Sequence, residues 1–344
     1  MTASMQQALD MAAIAAAARL LEAGELVAFP TETVYGLGAD AENPAAVERI
    51  FAAKGRPSNH PVIVHLAPGA DIARWAIDMP PEAQQLIDAF WPGPLTLIVK
   101  RAPAISAAVS GGQDSIGLRC PSHPVAQALL QAFKGGQGGV AAPSANRFGH
   151  VSPTTAAHVL AEFGAGQDSP LAAVLDGGQS EVGIESTIVD LSRMASHGPA
   201  LLRPGRISAE QIAAVIGQWP GLGGAGAPRV SGALDSHYAP RTPVVLIDNA
   251  DLAASIQRLR QKGRRIALIS CGGAANGIAA HAALPDDAAG YAHRLYAALR
   301  DMDAAGADAI LVERPPQDDA WLGINDRLRR AAFGSERVLE RLLA

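Results

Sequence analysis

The segment Trp219–Gly232 (WPGLGGAGAPRVSG) constrains this chain more than any other stretch, because seven of its fourteen residues are Gly or Pro. Glycine loses the most backbone freedom on ordering and proline lacks a donor, so such a run builds neither a helix interior nor a central strand. It reads as a linker and divides the 344 residues into two unequal units. Before it, short β-rich runs alternate with helical segments. Strands are expected at Glu25–Phe29, Val62–Leu66, Leu95–Val99, Ser115–Arg119, Gly139–Ala142, Leu171–Leu175, Ser186–Asp190 and Ala200–Arg203. Asn43 followed by Pro44 is an N-cap with proline at the first helical position, and Gly55 closes that helix. Val125, Leu129 and Phe133 make a helical stripe, as do Ile212, Val215 and Ile216. After the linker, the apolar runs Val244–Asp248, Arg265–Ser270 and Ala309–Glu313 read as buried parallel strands. Helices carrying Leu252/Ile256/Leu259 and Tyr291/Leu295/Leu299/Met302 separate them. The expected fold class is α/β: a twisted mixed sheet with flanking helices over 1–218, a linker over 219–242, and a smaller three-layer domain over 243–344.

Composition removes several functions. A net charge of −5 argues against a protein that coats nucleic acid. Two cysteines, Cys120 and Cys271, fall in different units, so neither a disulfide scaffold nor a shared metal site is expected. No GxxxxGK[ST] loop, GxGxxG turn, GxSxG elbow or HExxH helix is present. The N-terminal apolar stretch Met11–Ala18 lies between Asp10 and Arg19 and is too short to span a bilayer. A soluble protein of a reducing compartment, the cytoplasm, is the expectation.

The chemistry-bearing residues sit at strand ends and in loops. Pro30–Gly38 (PTETVYGLG) offers two hydroxyls, a carboxylate and a closely approachable backbone, or else a turn that caps its own amides. Lys54 is one of only four lysines among 28 basic residues. It suits a helix C-terminus, and with Arg56 it also suits a polyphosphate, Lys as a point charge and Arg as a fork. His65 lies in an apolar run, as a core histidine or a ligand. Ala142–Asn146 (APSAN) and Ser152–Thr154 place small hydroxyls and free amides before a helix, as an anion site or as simple caps. Ser115 and Arg119, Gly183–Thr187 and Leu201–Gly205 each put an Arg or a hydroxyl at a strand end.

In combination, PTETVYGLG, the Lys54-x-Arg56…His60-Pro61…His65 loop, WPGPLT at Trp91–Thr96, RCP at Arg119–Pro121, APSAN, SPT, GIEST, LLRPG and SHYAP at Ser236–Pro240 resemble the threonylcarbamoyl-AMP synthases of the two-domain type. The resemblance implies a YrdC-like catalytic domain with a Rossmann-like C-terminal domain. It implies synthesis of threonylcarbamoyl-AMP and pyrophosphate from L-threonine, bicarbonate or CO2, and ATP, with the product passed to tRNA threonylcarbamoyl-transferase machinery. By the same resemblance Thr33, His65, Arg119, Ala142 and Ser186 bind threonine. Lys54, Arg56, His60, Ser115, Ser144, Asn146, Ser152, Arg203 and Tyr238 bind ATP, with Lys54 and Arg56 catalytic. Mg²⁺ is expected through the phosphates alone, without a protein-built metal site. His60 departs from the asparagine frequent in the family, and its imidazole charge varies near neutral pH. Tyr238, at the far end of the linker, suggests a lid. An RNA-binding YrdC-like module and a carbamoyl-transfer maturation factor are the competing readings. Neither a membrane partner nor stable nucleic-acid binding is expected.

Overall fold

Helices in the first unit begin where side chains satisfy the first free amides. In the computed structural model, which describes residues 9–224, 226–232, 237–273, 277–335 and 337–344, Asp10 caps helix Met11–Glu22 and Asn43 caps helix Pro44–Lys54. Ser208 and Gln211 form a reciprocal capping box at helix Ala209–Ile216. Between the helices run β1 (Val27–Phe29), β2 (Gly36–Asp40), β3 (Ile63–Leu66), β4 (Ala76–Ile77), β5 (Leu95–Arg101), β6 (Ser115–Arg119), β7 (Gly139–Ala141), β8 (Ala173–Val174), β9 (Thr187–Asp190), β10 (Ala200–Arg203) and β11 (Gly221–Leu222). They form one mixed sheet in the order β11-β10-β9-β5-β6-β3-β7-β2-β1-β8, with β4 paired to β5.

Three strands of this unit depart from the expected pattern, one of them β4, a two-residue strand antiparallel to β5. β2 lies inside PTETVYGLG, where the glycines suggested only a loop; it pairs antiparallel with β1 and β7. β11 lies inside the segment read as linker, at the sheet edge, where it adds a short parallel pairing to β10. An edge strand needs partners on one side only, which a Gly-rich segment can supply.

The second unit holds β12 (Val244–Ile247), β13 (Ile266–Ser270), β14 (Ala280–Ala283) and β15 (Ala309–Glu313), all parallel in the order β12-β15-β13-β14. β14, with little apolar character, was not expected. Helix Ala288–Ala304 and helix Leu322–Ala331 pack on one face of this sheet, and helix Asn249–Gln261 on the other, giving three layers. The cluster on the first face also takes in Val34, Val151 and Ile184 of the first unit. The two units therefore share apolar core. Among the described residues no helix is long and apolar enough to cross a membrane.

Candidate active site

Strands β3 and β6 run parallel with His65 opposite Arg119, so both side chains leave the same face of the sheet. Both are buried. Burial, then the Arg119 charge, pushes the His65 imidazole down to about 3, so it is neutral near pH 7. Its Nδ1 has no protein partner. Arg119 donates from Nη1 to Thr33 Oγ1 at 2.9 Å and from Nε to the Gly93 carbonyl at 3.3 Å. Its Nη2 lies 2.7 Å from Glu32 Oε1 in a buried ion pair, without an aligned hydrogen bond, and the residue lines the cleft.

The Pro30–Val34 turn caps its own amides and also sets Thr31 and Thr33 along the cleft. Thr31 faces inward: its Oγ1 accepts from the Thr33 and Val34 amides and donates to the Val34 carbonyl at 2.6 Å. Thr33 is thereby aimed at Arg119. Glu32, unremarked by the motif reading, backs Arg119 and accepts from the Ser122 amide at 3.1 Å.

Lys54 ends its helix because Gly55 adopts the left-handed region at φ +63°, which costs a Cβ-bearing residue more than glycine. Its Nζ donates to the Ser144 carbonyl at 2.6 Å and the Asn146 carbonyl at 2.5 Å. Burial, then Arg56, pushes the ammonium well below its usual value, and the two carbonyls favour the charged form. An ammonium has three donors, so one N–H remains. Arg56 donates to the Pro61 carbonyl and to Ser231 Oγ, and its Nε is buried without a partner. Burial lowers Arg56 to about 10, which leaves it protonated at neutral pH.

On the opposite wall, Arg203 donates to Ser186 Oγ at 3.1 Å, to the Ser186 carbonyl at 3.0 Å and to the Ser231 carbonyl at 2.9 Å. Ser186 Oγ also meets Thr96 Oγ1 at 2.8 Å. Gly205 makes this wall possible: a Cβ there would sit 2.5 Å from the Thr187 amide nitrogen and 2.8 Å from the Glu185 carbonyl.

These groups converge on one cleft of about 590 Å³, counting its open mouth. Thr33, His65, Arg119, Ala142 and Ser186 line it, together with Lys54, Arg56, Ser144, Arg203 and Tyr238. Ser115 instead lines an adjoining shallow apolar slot, about 280 Å³ counting the open solvent above it, with Gly117, Ile98, Ile188 and Val230; the slot shares Ile63 and Ser231 with the cleft. His60 lies half-buried beside Phe148, with its imidazole lowered by burial and then by Arg56. Asn146 and Ser152 are fully buried behind the wall. Asn146 presents its carbonyl to Lys54, while Ser152 donates to Glu185 Oε1 at 2.6 Å. Ser236 of the SHYAP segment lies outside the described residues, as do 225 and 233–235 of the linker. Ser231, Gly232 and His237, which the motif reading did not single out, line the cleft beside Tyr238.

The cleft thus presents four cations to an anionic ligand. Glu185, the carboxylate on its wall, is paired with Arg327 of the second unit at 2.9 Å, and Glu32 is paired with Arg119. Among the described residues no group of three His, Cys, Asp or Glu side chains could hold a metal ion. Cys120, beside Arg119, is buried, and burial pushes its thiol up to about 11, so it is no nucleophile at neutral pH.

Comparison with known proteins agrees with this geometry. Residues 19–205 match the family described as "Telomere recombination", and residues 207–333 match the family "Threonylcarbamoyl-AMP synthase, C-terminal domain". The threonylcarbamoyl-AMP synthase of Pyrococcus abyssi is 36% identical over 327 residues, covering 92% of this chain and 93% of that protein. That of Bacillus subtilis is 40% identical over 338 residues, covering 93% of each. A crystal structure of P. abyssi Sua5 complexed with L-threonine superposes with a TM-score of 0.87 at 35% identity, over 95% of this chain and 96% of that one.

Proposed function

The chain belongs to the threonylcarbamoyl-AMP synthase family, and from that premise we propose how its cleft joins L-threonine, bicarbonate or CO2, and ATP. The reaction yields threonylcarbamoyl-AMP and pyrophosphate. Convergence of Lys54 and Arg56 from one helix end with Arg119 from the end of β6 and Arg203 from the end of β10 carries the reading. Arg119, already oriented by Glu32 and Thr33, takes the threonine carboxylate. The neutral His65, Thr33, Ser186 and the backbone at Ala142 surround the remainder of the amino acid. Lys54, Arg56, Arg203 and Ser144 face the triphosphate, and the slot beside Ser115 and Gly117 takes the flat adenine. His60 lines neither the cleft nor the slot; it packs on Phe148, which lines the cleft. Its lowered imidazole pKa favours the neutral ring, which can donate a single hydrogen bond. Asn146 and Ser152 support the nucleotide at one remove, through Lys54 and Glu185.

The threonine amine attacks the carbon of bicarbonate, water leaves, and an N-carboxylate forms. An oxygen of that carboxylate attacks the α-phosphorus; the bond to the β-phosphate oxygen breaks and pyrophosphate departs with its electrons. Neither step uses an enzymic nucleophile, so the residues act by positioning and by stabilising phosphate charge. A magnesium ion, if it accompanies the nucleotide, would be held by the phosphates, since the cleft carboxylates Glu32 and Glu185 are paired with arginines, and it would add charge stabilisation to that of Lys54 and Arg56. Ser231, Gly232, His237 and Tyr238 close the site against water, to which the mixed anhydride is labile. The product then passes to the tRNA-modifying transferase machinery of the cytoplasm.

The test is pyrophosphate release with ATP, bicarbonate and each amino acid in turn. Strict dependence on L-threonine is expected, with serine disfavoured by ~1–3 kcal/mol for its missing methyl. In the same assay Tyr238→Ala lowers intact product more than it lowers pyrophosphate. Threonine-independent turnover, or none, contradicts the reading.

A further inference from the structure

We propose that the C-terminal domain completes the active site through Arg327 and Tyr296, positioning residues that hold the Glu185–Ser186 wall and the lid residue Tyr238. The inference rests on the reaction assigned above and extends it to residues that never enter the cleft.

Arg327, on helix Leu322–Ala331, is 0% exposed. Its guanidinium reaches across the domain boundary to both loops of the arginine wall. Nε donates to Glu185 Oε2 at 2.9 Å, Nη2 to the Glu185 carbonyl at 3.2 Å, and Nη1 to the Pro204 carbonyl at 2.6 Å. From helix Ala288–Ala304, Tyr296 donates its hydroxyl to Glu185 Oε2 at 2.8 Å. Ser152 supplies the donor to the other oxygen. Glu185 is therefore fixed by three chain segments, and the next residue is Ser186, whose hydroxyl and carbonyl hold Arg203. A fork that engages side chain and backbone together sets the angle of that loop as well as its distance.

The same two residues make the bed for the lid. Tyr238 stacks on Tyr296 at 5.7 Å between centroids and 28° between planes, and Arg327 Cζ lies 5.5 Å over its ring. Tyr238 has φ +60°, a left-handed conformation that a bulky residue holds only where its surroundings fix it. Ile324 and Leu328, on the Arg327 helix, share a core cluster with Tyr238, Val34, Val151 and Ile184. Buried ion pairs are weak glue compared with packed apolar residues, so a merely adhesive interface has little use for one here. A fork aimed at two cleft loops and a lid ring does have a use.

The full chain is compared with Arg327→Met, Tyr296→Phe and His293→Ala. His293 crosses the same boundary, to the Ser180 and Glu181 carbonyls, but does not line the cleft. Arg327→Met is expected to lower kcat/KM for threonine at least about tenfold and to move its acid limb to higher pH, because the Glu185 carboxylate loses its main counter-charge. The groups facing Glu185 in that titration are Arg203, Arg327, Tyr238, Tyr296 and His237. Tyr296→Phe keeps the ring, loses one hydrogen bond and costs about threefold or more. His293→Ala stays within about twofold with an unmoved acid limb, although it loosens the same interface. Amide exchange at Glu185–Thr187 and Tyr238 reads the geometry without the reaction and is expected to quicken in Arg327→Met alone. Equal effects of Arg327→Met and His293→Ala would reduce the role to docking and overturn the proposal. So would unchanged kinetics in Tyr296→Phe should Arg327→Met fail to fold. If the wild-type chain releases no pyrophosphate, the assigned reaction fails, and the exchange pattern decides the positioning role by itself.

Discussion

Arg119 and Lys54 hold their charges in different ways, and the difference fixes what each can bind. Arg119 has a carboxylate partner, Glu32, and lines the cleft with a planar fork already oriented by Glu32 and Thr33. Lys54 donates to two carbonyls and makes no ion pair among the described residues, which suits its remaining N–H to a phosphate oxygen. Arg119→Lys keeps the charge and loses the fork; the threonine KM is expected to rise about 10–100-fold, with a smaller change in kcat, measured by pyrophosphate release. An unchanged KM would place the threonine carboxylate elsewhere. The cations were legible in the sequence because lysine is scarce and motifs flank each of them. Their partners were not. Glu32 and Glu185 sit inside motifs, but a carboxylate that neutralises an arginine looks in sequence like one that binds a ligand, and only the contacts tell them apart. Arg327 and Tyr296 were illegible for another reason: they lie 142 and 111 residues from Glu185, within ordinary amphipathic helices.

At the scale of elements, periodicity located most strands of the large sheet and the principal helices, because each buries a face against the layer beside it. It missed β2, whose glycines let Phe29 and Val140 approach closely, and β4, β11 and β14, which are too short or too weakly apolar to leave a periodic signal. The turn after β10 is the element on which the arginine wall depends. In Gly205→Ala the new Cβ meets backbone at 2.5 Å, so the loop carrying Ser186 has to move. Turnover is expected to fall about tenfold or more, with a loss of stability of ~1–3 kcal/mol, measured by assay and by chemical unfolding. Retention of both would mean that the two loops are free to separate.

Over the whole molecule, acid acts on both domains through one contact. Desolvation alone would raise Glu185, but Arg327 and Arg203 overcome it and hold the carboxyl at about 2. Burial holds His65 and His237 at about 3 and His158 at about 4. Each group binds fewer protons folded than unfolded below its unfolded pKa, so stability is full above ~6.5 and falls as the histidines of the unfolded chain protonate. Glu185 adds to the loss below ~4.5, down to its folded value of about 2. Denaturant midpoints are expected to drop between pH ~7.5 and ~5 and more steeply toward ~3.5; a flat profile would contradict neutral burial of these rings.

A single cleft that holds the threonine amine, an inorganic carbon and the α-phosphate of ATP together has to pass the inorganic carbon into the nucleotide product. Supplying ¹³C-bicarbonate with L-threonine and ATP and weighing that product is expected to show threonylcarbamoyl-AMP carrying the label, formed in step with pyrophosphate. Pyrophosphate or AMP released without labelled threonylcarbamoyl-AMP would contradict it.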